Sequence, residues 1–462
     1  MAKTTPPVKL HEQIQLTVAK IRQNGMGVAW ADEKQIYPVY LADAMLDEVV
    51  EVEIIQVDKL SAYGRIVSWV KKHPKRIDAN RQYLIEAGTA PLVNWAYSAQ
   101  KDWKQSLVKE NFADAGLEVS VAEPVTMEET VPSYYRNKTV VPVKWQNGHL
   151  LSGFYQRGTH ELVPMEDYFV NDRRLDEVIV TVRNILEKWQ ISAYDPDEEK
   201  GAIRYIMVRR GHYSKELMVV LVSNEATLPK RDQVVAAIKE ALPDLTSLIL
   251  NKAPKKDYVQ LSADNETLYG RDQIEDSLLG KRFLIGPNSF YQVNPVMTEK
   301  LYQTAADLAQ LKKTDLVVDA YAGIGTIGMS VADRVKQVIG VEVVPGAVFD
   351  AQKNLAINGI ENASYRLADA PKQFVSWQAE GVRPDVVFVD PPRRGLTKEL
   401  IEKTALMAPD RVVYVSCNPK TAARDCALFQ EVGYAIMGPV VPVDQFPQTA
   451  HIETVTVLAK KR

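Results

Sequence analysis

From about residue 276 onward the chain repeats one pattern. Short apolar runs, LVVDAY, QVIGVEVV, DVVFVD and RVVYVS, alternate with helical stretches. That order predicts a parallel sheet with crossover helices, a Rossmann-like α/β domain over 276–462. The last segments, YAIMGPVVPV and ETVTVLA, lie close together with no long helix between them, which predicts a final antiparallel pair. Residues 11–70 instead hold five short Val- and Ile-rich runs, split by turn residues such as Asn24-Gly25. This is the pattern of a small OB-like β-barrel, placed at 1–70. Between the two, 71–275 mixes helical stretches (SAQKDWKQSLVKENFADAG) with strand-like ones (KTVVPVKW, ELMVVLVS), an α+β central unit. A multidomain chain fits the length of 462 residues.

Ligands bind such parallel sheets at the carboxyl ends of the strands. Gly323, Gly325 and Gly328 form G-x-G-x-x-G after the first strand, which suits NAD as well as S-adenosylmethionine. Glu342 ends the next strand, where a carboxylate can accept hydrogen bonds from ribose hydroxyls; this too suits both. Asp319 ends the first strand, and a carboxylate there suits a cofactor with ammonium and sulfonium groups better than a pyrophosphate. The fourth strand ends in Asp390-Pro391-Pro392, a loop of restricted backbone. Asn294 reads as an N-cap with Pro295 at the first helical position, and Gln292 just before it can reach a ligand.

The chain has only two cysteines. Cys426 shares a helical face with Ala422 and Phe429 and reads as core packing. Cys417 closes the apolar run RVVYVS and points to the ligand edge. A thiolate there can add to carbon 6 of a uracil and make carbon 5 nucleophilic toward a methyl donor. A base must then take the proton from carbon 5. PQTAHIETVTVLA offers His451 and Glu453, two apart and on one face if the segment is extended. Glu453, pressed against an apolar sheet end, is expected to have a raised pKa.

The motifs Phe290-x-Gln292-x-Asn294, Asp319-x-x-x-Gly-x-Gly-Thr326, Asp390-Pro-Pro-Arg, Ser416-Cys-Asn-Pro and His451-Ile-Glu453 occur in that order. Together they resemble the S-adenosylmethionine-dependent RNA uracil-5-methyltransferases. The N-terminal barrel is similar to the TRAM domain of the 23S rRNA branch, which the tRNA branch usually lacks. Tyr135-Arg-Asn-Lys138 is similar to a central-domain motif. The resemblance implies Cys417 as nucleophile and Glu453 as proton acceptor. It implies Gln292, Tyr321, Glu342 and Asp390 as cofactor contacts, with Thr326 and Asp369, at the end of the third strand, as weaker ones. It also implies that barrel and central unit hold a segment of 23S rRNA while the target base is flipped out. Many rRNA-branch members carry an iron–sulfur cluster on four cysteines. Here Ala87 and Ala90 stand at matching positions and both cysteines lie elsewhere, so no cluster and no metal is expected.

A net charge of −3 argues against a general polyanion binder, so any RNA contact is local. One basic run, residues 65–82, reads either as such a contact or as a solvated linker. Arg136, Lys138, Arg209, Arg210, Arg393 and Arg394 are further phosphate contacts to consider. No run is long enough to span a membrane and the N-terminus has no apolar signal region, so a cytoplasmic location is expected. No obligate protein partner is evident. The rivals are the same chemistry on tRNA, a cytosine-5 or amino-directed methyltransferase, an NAD enzyme, and a non-catalytic RNA-binding or assembly protein. An amino-directed enzyme would usually carry an aromatic residue where Arg393 stands. An NAD enzyme leaves Cys417 and Glu453 together unexplained. A retired enzyme would have lost its reactive groups.

Overall fold

The computed structural model describes residues 6–195, 197–253 and 261–461. The N-terminal strands Gln13–Ile21, Gly27–Trp30, Pro38–Leu41, Val49–Val57 and Ala62–Lys71 close into a barrel. Closure comes from a parallel pairing of Val39 with Ala62. Alternate residues point inward, so Val18, Val39, Leu41, Val50, Val52 and Ile54 are fully buried. The expected small barrel is present.

The central segment builds a seven-stranded sheet, ordered Asn265–Gly270, Leu245–Lys252, Leu217–Ser223, Ile203–Arg210, Lys138–Gln146, His149–Tyr155, Leu162–Pro164. Helices Arg173–Lys188 and Arg231–Ala241 cover it. One segment of this stretch packs elsewhere. Helix Tyr97–Asp114 lays Leu107, Val108 and Phe112 against Ala422, Ala423, Cys426 and Phe429 of helix Pro419–Glu431. It is tied there by a buried ion pair, Lys104 Nζ to Asp444 Oδ1 at 2.6 Å, both side chains fully buried. Tyr97 donates its hydroxyl to the other Asp444 oxygen at 3.0 Å.

The C-terminal sheet has eight strands. Its path runs Ala363–Leu367, Gln337–Glu342, Leu316–Asp319, Val386–Val389, Arg411–Ser416, Glu453–Lys460, Tyr434–Ile436. The first five are parallel. Strands Val386–Val389 and Arg411–Ser416 are buried at every residue, as sheets covered on both faces require. The strand Glu453–Lys460 runs antiparallel to Arg411–Ser416 and to Tyr434–Ile436, the antiparallel ending that the sequence predicts. Leu316–Asp319 lies mid-sheet, and the chain first builds outward on one side and then on the other. The crevice for a ligand is at that switch. No described helix is long and apolar enough to cross a membrane.

Basic run 65–82 is largely neutralised. Arg65 pairs with Glu53, Lys75 with Asp102 and Arg81 with Asp167. Arg76 is buried between Asp43 at 2.9 Å and Glu48 at 2.5 Å, fastening the barrel to the segment that follows it.

Candidate active site

Asp319 and Glu342 are the last residues of their strands, Asp390 follows Val386–Val389, and Cys417 follows Arg411–Ser416. All four therefore stand at the carboxyl edge of the sheet. Asp369 departs from expectation. Its strand ends at Leu367, and Asp369 is the exposed N-cap residue of helix Ala370–Ala379, so the polypeptide has already turned.

The glycine turn is held by these acids. Glu342 Oε2 accepts from the Gly323 N–H at 3.0 Å, and its Oε1 accepts from Val343 and Val344 at 2.8 and 2.9 Å. Asp319 Oδ2 accepts from the Gly328 N–H at 3.0 Å. Gly323 and Gly325 have φ of +54° and +86°, the left-handed region that glycine adopts freely. A Cβ on Gly323 would meet nothing within 4 Å, so the turn faces open space. Thr326 begins the helix behind it, its hydroxyl 3.1 Å from the buried Tyr302 hydroxyl. Tyr321 is half-buried beside the turn. Gln292 is half-buried, and no protein group bonds its side-chain amide among the described residues. Asn294 caps helix Pro295–Leu308, accepting from Met297 N–H at 3.2 Å, as its sequence predicts.

This edge of the sheet gathers acidic side chains. Burial, then Glu342, pushes Asp319 up to about 7. Burial, then Asp319, does the same to Asp390. Glu453 is 3% exposed, and burial followed by Asp390 raises it well above the usual carboxylate range, with Arg393 opposing. A ligand carrying positive charge relieves these groups, whereas a pyrophosphate aggravates them. The donor set thus fits the ammonium and sulfonium of S-adenosylmethionine, and Glu342 keeps lone pairs for ribose hydroxyls.

The antiparallel register brings the two reactive candidates together. Ser416 is opposite Thr454, so Cys417 and Glu453 stand one step beyond that pair at the same end. The Cys417 thiol is pushed up to about 12 by burial first, then by Glu453 and Asp390, with Arg393 pulling it down. Cys426 is fully buried in the apolar core. His451 does not share a strand face with Glu453. The strand begins at Glu453, and His451 remains exposed in the preceding loop. Its Nδ1 accepts from Arg393 Nη2 at 3.2 Å, since a guanidinium only donates. Although much of the residue is open to solvent, loss of water around its ring and then the Arg393 charge push the imidazole down, so it is neutral at neutral pH.

His451 also lines a cavity of about 480 Å³ with no carboxylate among its described lining residues. Arg136, Lys138, Arg157, Phe290 and His451 contribute to its wall. Burial, Arg209 and Arg136 push Lys138 down to about 7. Arg394 lies on the exposed loop after Pro392. Two of the sequence's basic residues are not free for phosphate. Arg209 is buried and donates to the Gly286 and Ser289 carbonyls at 2.5 and 2.8 Å. Arg210 pairs with Asp172 at 3.1 Å. Among the described residues, no group of three or more His, Cys, Asp or Glu could hold a metal ion. Ala90 is buried in the core and Ala87 packs against it.

Sequence reasoning missed the groups that set the reactive loops. Asp425 accepts from the Leu396 N–H and the Tyr414 hydroxyl, both at 2.7 Å, and so anchors the loop after Arg393. Arg393 was read as a phosphate contact, and its place between His451 and the reactive pair carried no local signal.

Residues 96–461 match the family model described as tRNA (uracil-5-)-methyltransferase. The chain belongs to this family. An uncharacterised RNA methyltransferase of Lactiplantibacillus plantarum is 45% identical over 461 residues, 100% of each chain. Another from Streptococcus pyogenes serotype M18 is 42% identical, covering 98% of this chain and 97% of its own. The crystal structure of Pyrococcus abyssi tRNA (uracil-54, C5)-methyltransferase with S-adenosyl-L-homocysteine covers 96% of this chain and 99% of its own, with TM-score 0.77 and 25% identity. The resemblance in the motifs is therefore a family membership, and the family's reaction is S-adenosylmethionine-dependent methylation of uracil carbon 5 in RNA.

Proposed function

We propose that this protein methylates carbon 5 of uridine in 23S rRNA, with Cys417 as nucleophile and Glu453 as base. The observation that carries the reading is the register that brings Cys417 to the buried Glu453. S-adenosylmethionine, when bound, supplies an electrophilic methyl group. Gln292, Tyr321, Glu342 and Asp390 would hold it, with Thr326 and Asp369 at the margin. The Cys417 thiol loses its proton to solvent, the thiolate Sγ bonds to carbon 6 of the uracil, and the carbon 5–carbon 6 electron pair moves into the ring to give an enolate nucleophilic at carbon 5. After carbon 5 is methylated, Glu453 takes its remaining proton. The electron pair of that C–H bond restores the double bond and expels the Cys417 thiolate. A base with a raised pKa suits the removal of a carbon-bound proton. The Arg393 guanidinium favours both anions, and the neutral His451 orients it. Arg136, Lys138 and Arg394 receive phosphates of the flipped-out strand.

The same chemistry on tRNA is the second reading. It is favoured by the Pyrococcus abyssi enzyme, named for tRNA, which aligns over 96% of this chain. The barrel therefore weighs less against tRNA than its resemblance to the rRNA branch suggests. Fragments of 23S rRNA and of tRNA, each substituted with 5-fluorouridine, separate the two. Fluorine cannot leave as a proton, so the Cys417 adduct is retained on a denaturing gel. A cofactor-dependent adduct with the rRNA fragments supports the proposal, and one with tRNA alone overturns its substrate.

A further inference from the structure

The tip of the first barrel hairpin reaches both reactive segments. Strands Gln13–Ile21 and Gly27–Trp30 meet in a turn closed by Arg22 N–H to the Met26 carbonyl and Gly25 N–H to the Arg22 carbonyl, both at 2.8 Å. From this turn Gln23 Nε2 donates to Asn418 Oδ1 at 2.7 Å, across 395 residues of chain. Asn418 directly follows Cys417. Its Oδ1 also accepts from the Lys420 N–H at 3.2 Å, and its Nδ2 donates to the Arg393 carbonyl at 2.9 Å. One side-chain amide thus joins the thiol's loop to the loop that carries the guanidinium. The tip also rests on the other reactive segment. Gly25 is buried, and a Cβ added there would lie 3.3 Å from the Ala450 Cβ, next to His451.

We propose that Gln23 is a positioning residue for the nucleophile: the barrel tip steadies Asn418, and through it the placement of Cys417 against Arg393. The barrel then takes part in the chemical step as well as in any capture of RNA. The inference rests on the reading of Cys417 as nucleophile. Its physical basis is that reactive groups on loops need supporting hydrogen bonds, because a small misplacement costs much of the rate. Loss of the Gln23 bond loosens the loop and lets water reach a thiol that is half-buried in the native protein.

The test uses the full chain as native protein, Gln23→Ala, Gln23→Met, and Lys34→Ala, an exposed control on another barrel turn. The rate of Cys417 alkylation by iodoacetamide is followed from pH 7 to 11 without RNA, with Cys417→Ala as blank. Methionine keeps about the size of glutamine and adds no charge, but it cannot donate to Asn418 Oδ1. Both Gln23 variants are expected to alkylate about fivefold faster at pH 8, the worth of one net hydrogen bond. Their pH profiles shift toward that of an ordinary thiol, and Lys34→Ala follows the native curve. Both variants should also form the 5-fluorouridine adduct about fivefold more slowly at unchanged RNA affinity. Native-like alkylation in both Gln23 variants overturns the proposal. So does a native-like Gln23→Met beside an altered Gln23→Ala, which would make the contact mere packing. If alkylation shifts while no protein forms an adduct with any RNA, the uracil reading fails and the positioning role stands.

Discussion

Removing the Lys104 ammonium is the sharpest structural perturbation the fold offers. Lys104 is fully buried, and its Nζ donates to Asp444 Oδ1 at 2.6 Å and to the Phe446 carbonyl at 3.2 Å. Lys104→Met keeps the stem and deletes the charge. Asp444 is then left buried with the Tyr97 hydroxyl as its remaining side-chain partner. Breaking one side of a buried pair costs about 3–5 kcal/mol. For a cooperative unit of about 150–250 residues, each kcal/mol lowers Tm by roughly 2–4 °C. The expected loss is therefore about 6–20 °C in the transition that includes the C-terminal sheet, read by scanning calorimetry. Because Asp444 leads into the segment that carries His451 and Glu453, activity should fall as well. The double variant Lys104→Met with Asp444→Leu removes both charges and should regain more than half of the lost stability. A single variant that melts within about 2 °C of native, or a double variant no better than the single one, would refute the argument that this pair fastens helix Tyr97–Asp114 to the reactive segment.

Three further outcomes are expected. With its thiol pushed up to about 12, Cys417 should alkylate slowly at pH 7 and speed up about tenfold per pH unit to near pH 11; a plateau near pH 9 would mean that the thiol is not buried among carboxylates. Asp390, pushed up to about 7, is the better cation partner when deprotonated, so affinity for S-adenosylmethionine measured by calorimetry should fall as pH drops from 8 to 6. Asp390→Asn should weaken that pH dependence and leave the part due to Asp319. Glu342→Gln leaves one acceptor oxygen where two serve the Gly323, Val343 and Val344 N–H groups. The cofactor should bind about 5- to 100-fold more weakly, equivalent to about 1–3 kcal/mol.

The catalytic sheet was legible because its signal is local. Runs such as Val386–Val389 and Arg411–Ser416 are apolar at nearly every position, and their ends carry the acids and the thiol. Asn294-Pro295 announces a helix start through capping chemistry alone. What the sequence hides is contact between distant segments. Nothing local marks Lys104 for burial, because its partner Asp444 lies far along the chain. The run 65–82 reads as an open basic surface because its acids, Glu53, Asp102 and Asp167, are not its neighbours in sequence. Arg209 and Arg210 likewise read as phosphate contacts, while carbonyls and Asp172 already occupy them. The shared face of His451 and Glu453 needs an extended segment, and the strand starts two residues too late for that alternation to reach His451.

The central claim is tested most directly by blocking the last step. Glu453→Gln is incubated with S-adenosylmethionine and unsubstituted 23S rRNA or tRNA fragments, then its intact mass is measured under denaturing conditions. The account predicts a species carrying covalent RNA with one added methyl group, because addition and methylation proceed and proton removal does not. Cys417→Ala should show no such species with the same RNA. Release of free methylated RNA by Glu453→Gln at the native rate would contradict Glu453 as the base. Methylation by Cys417→Ala would contradict the thiol as the nucleophile.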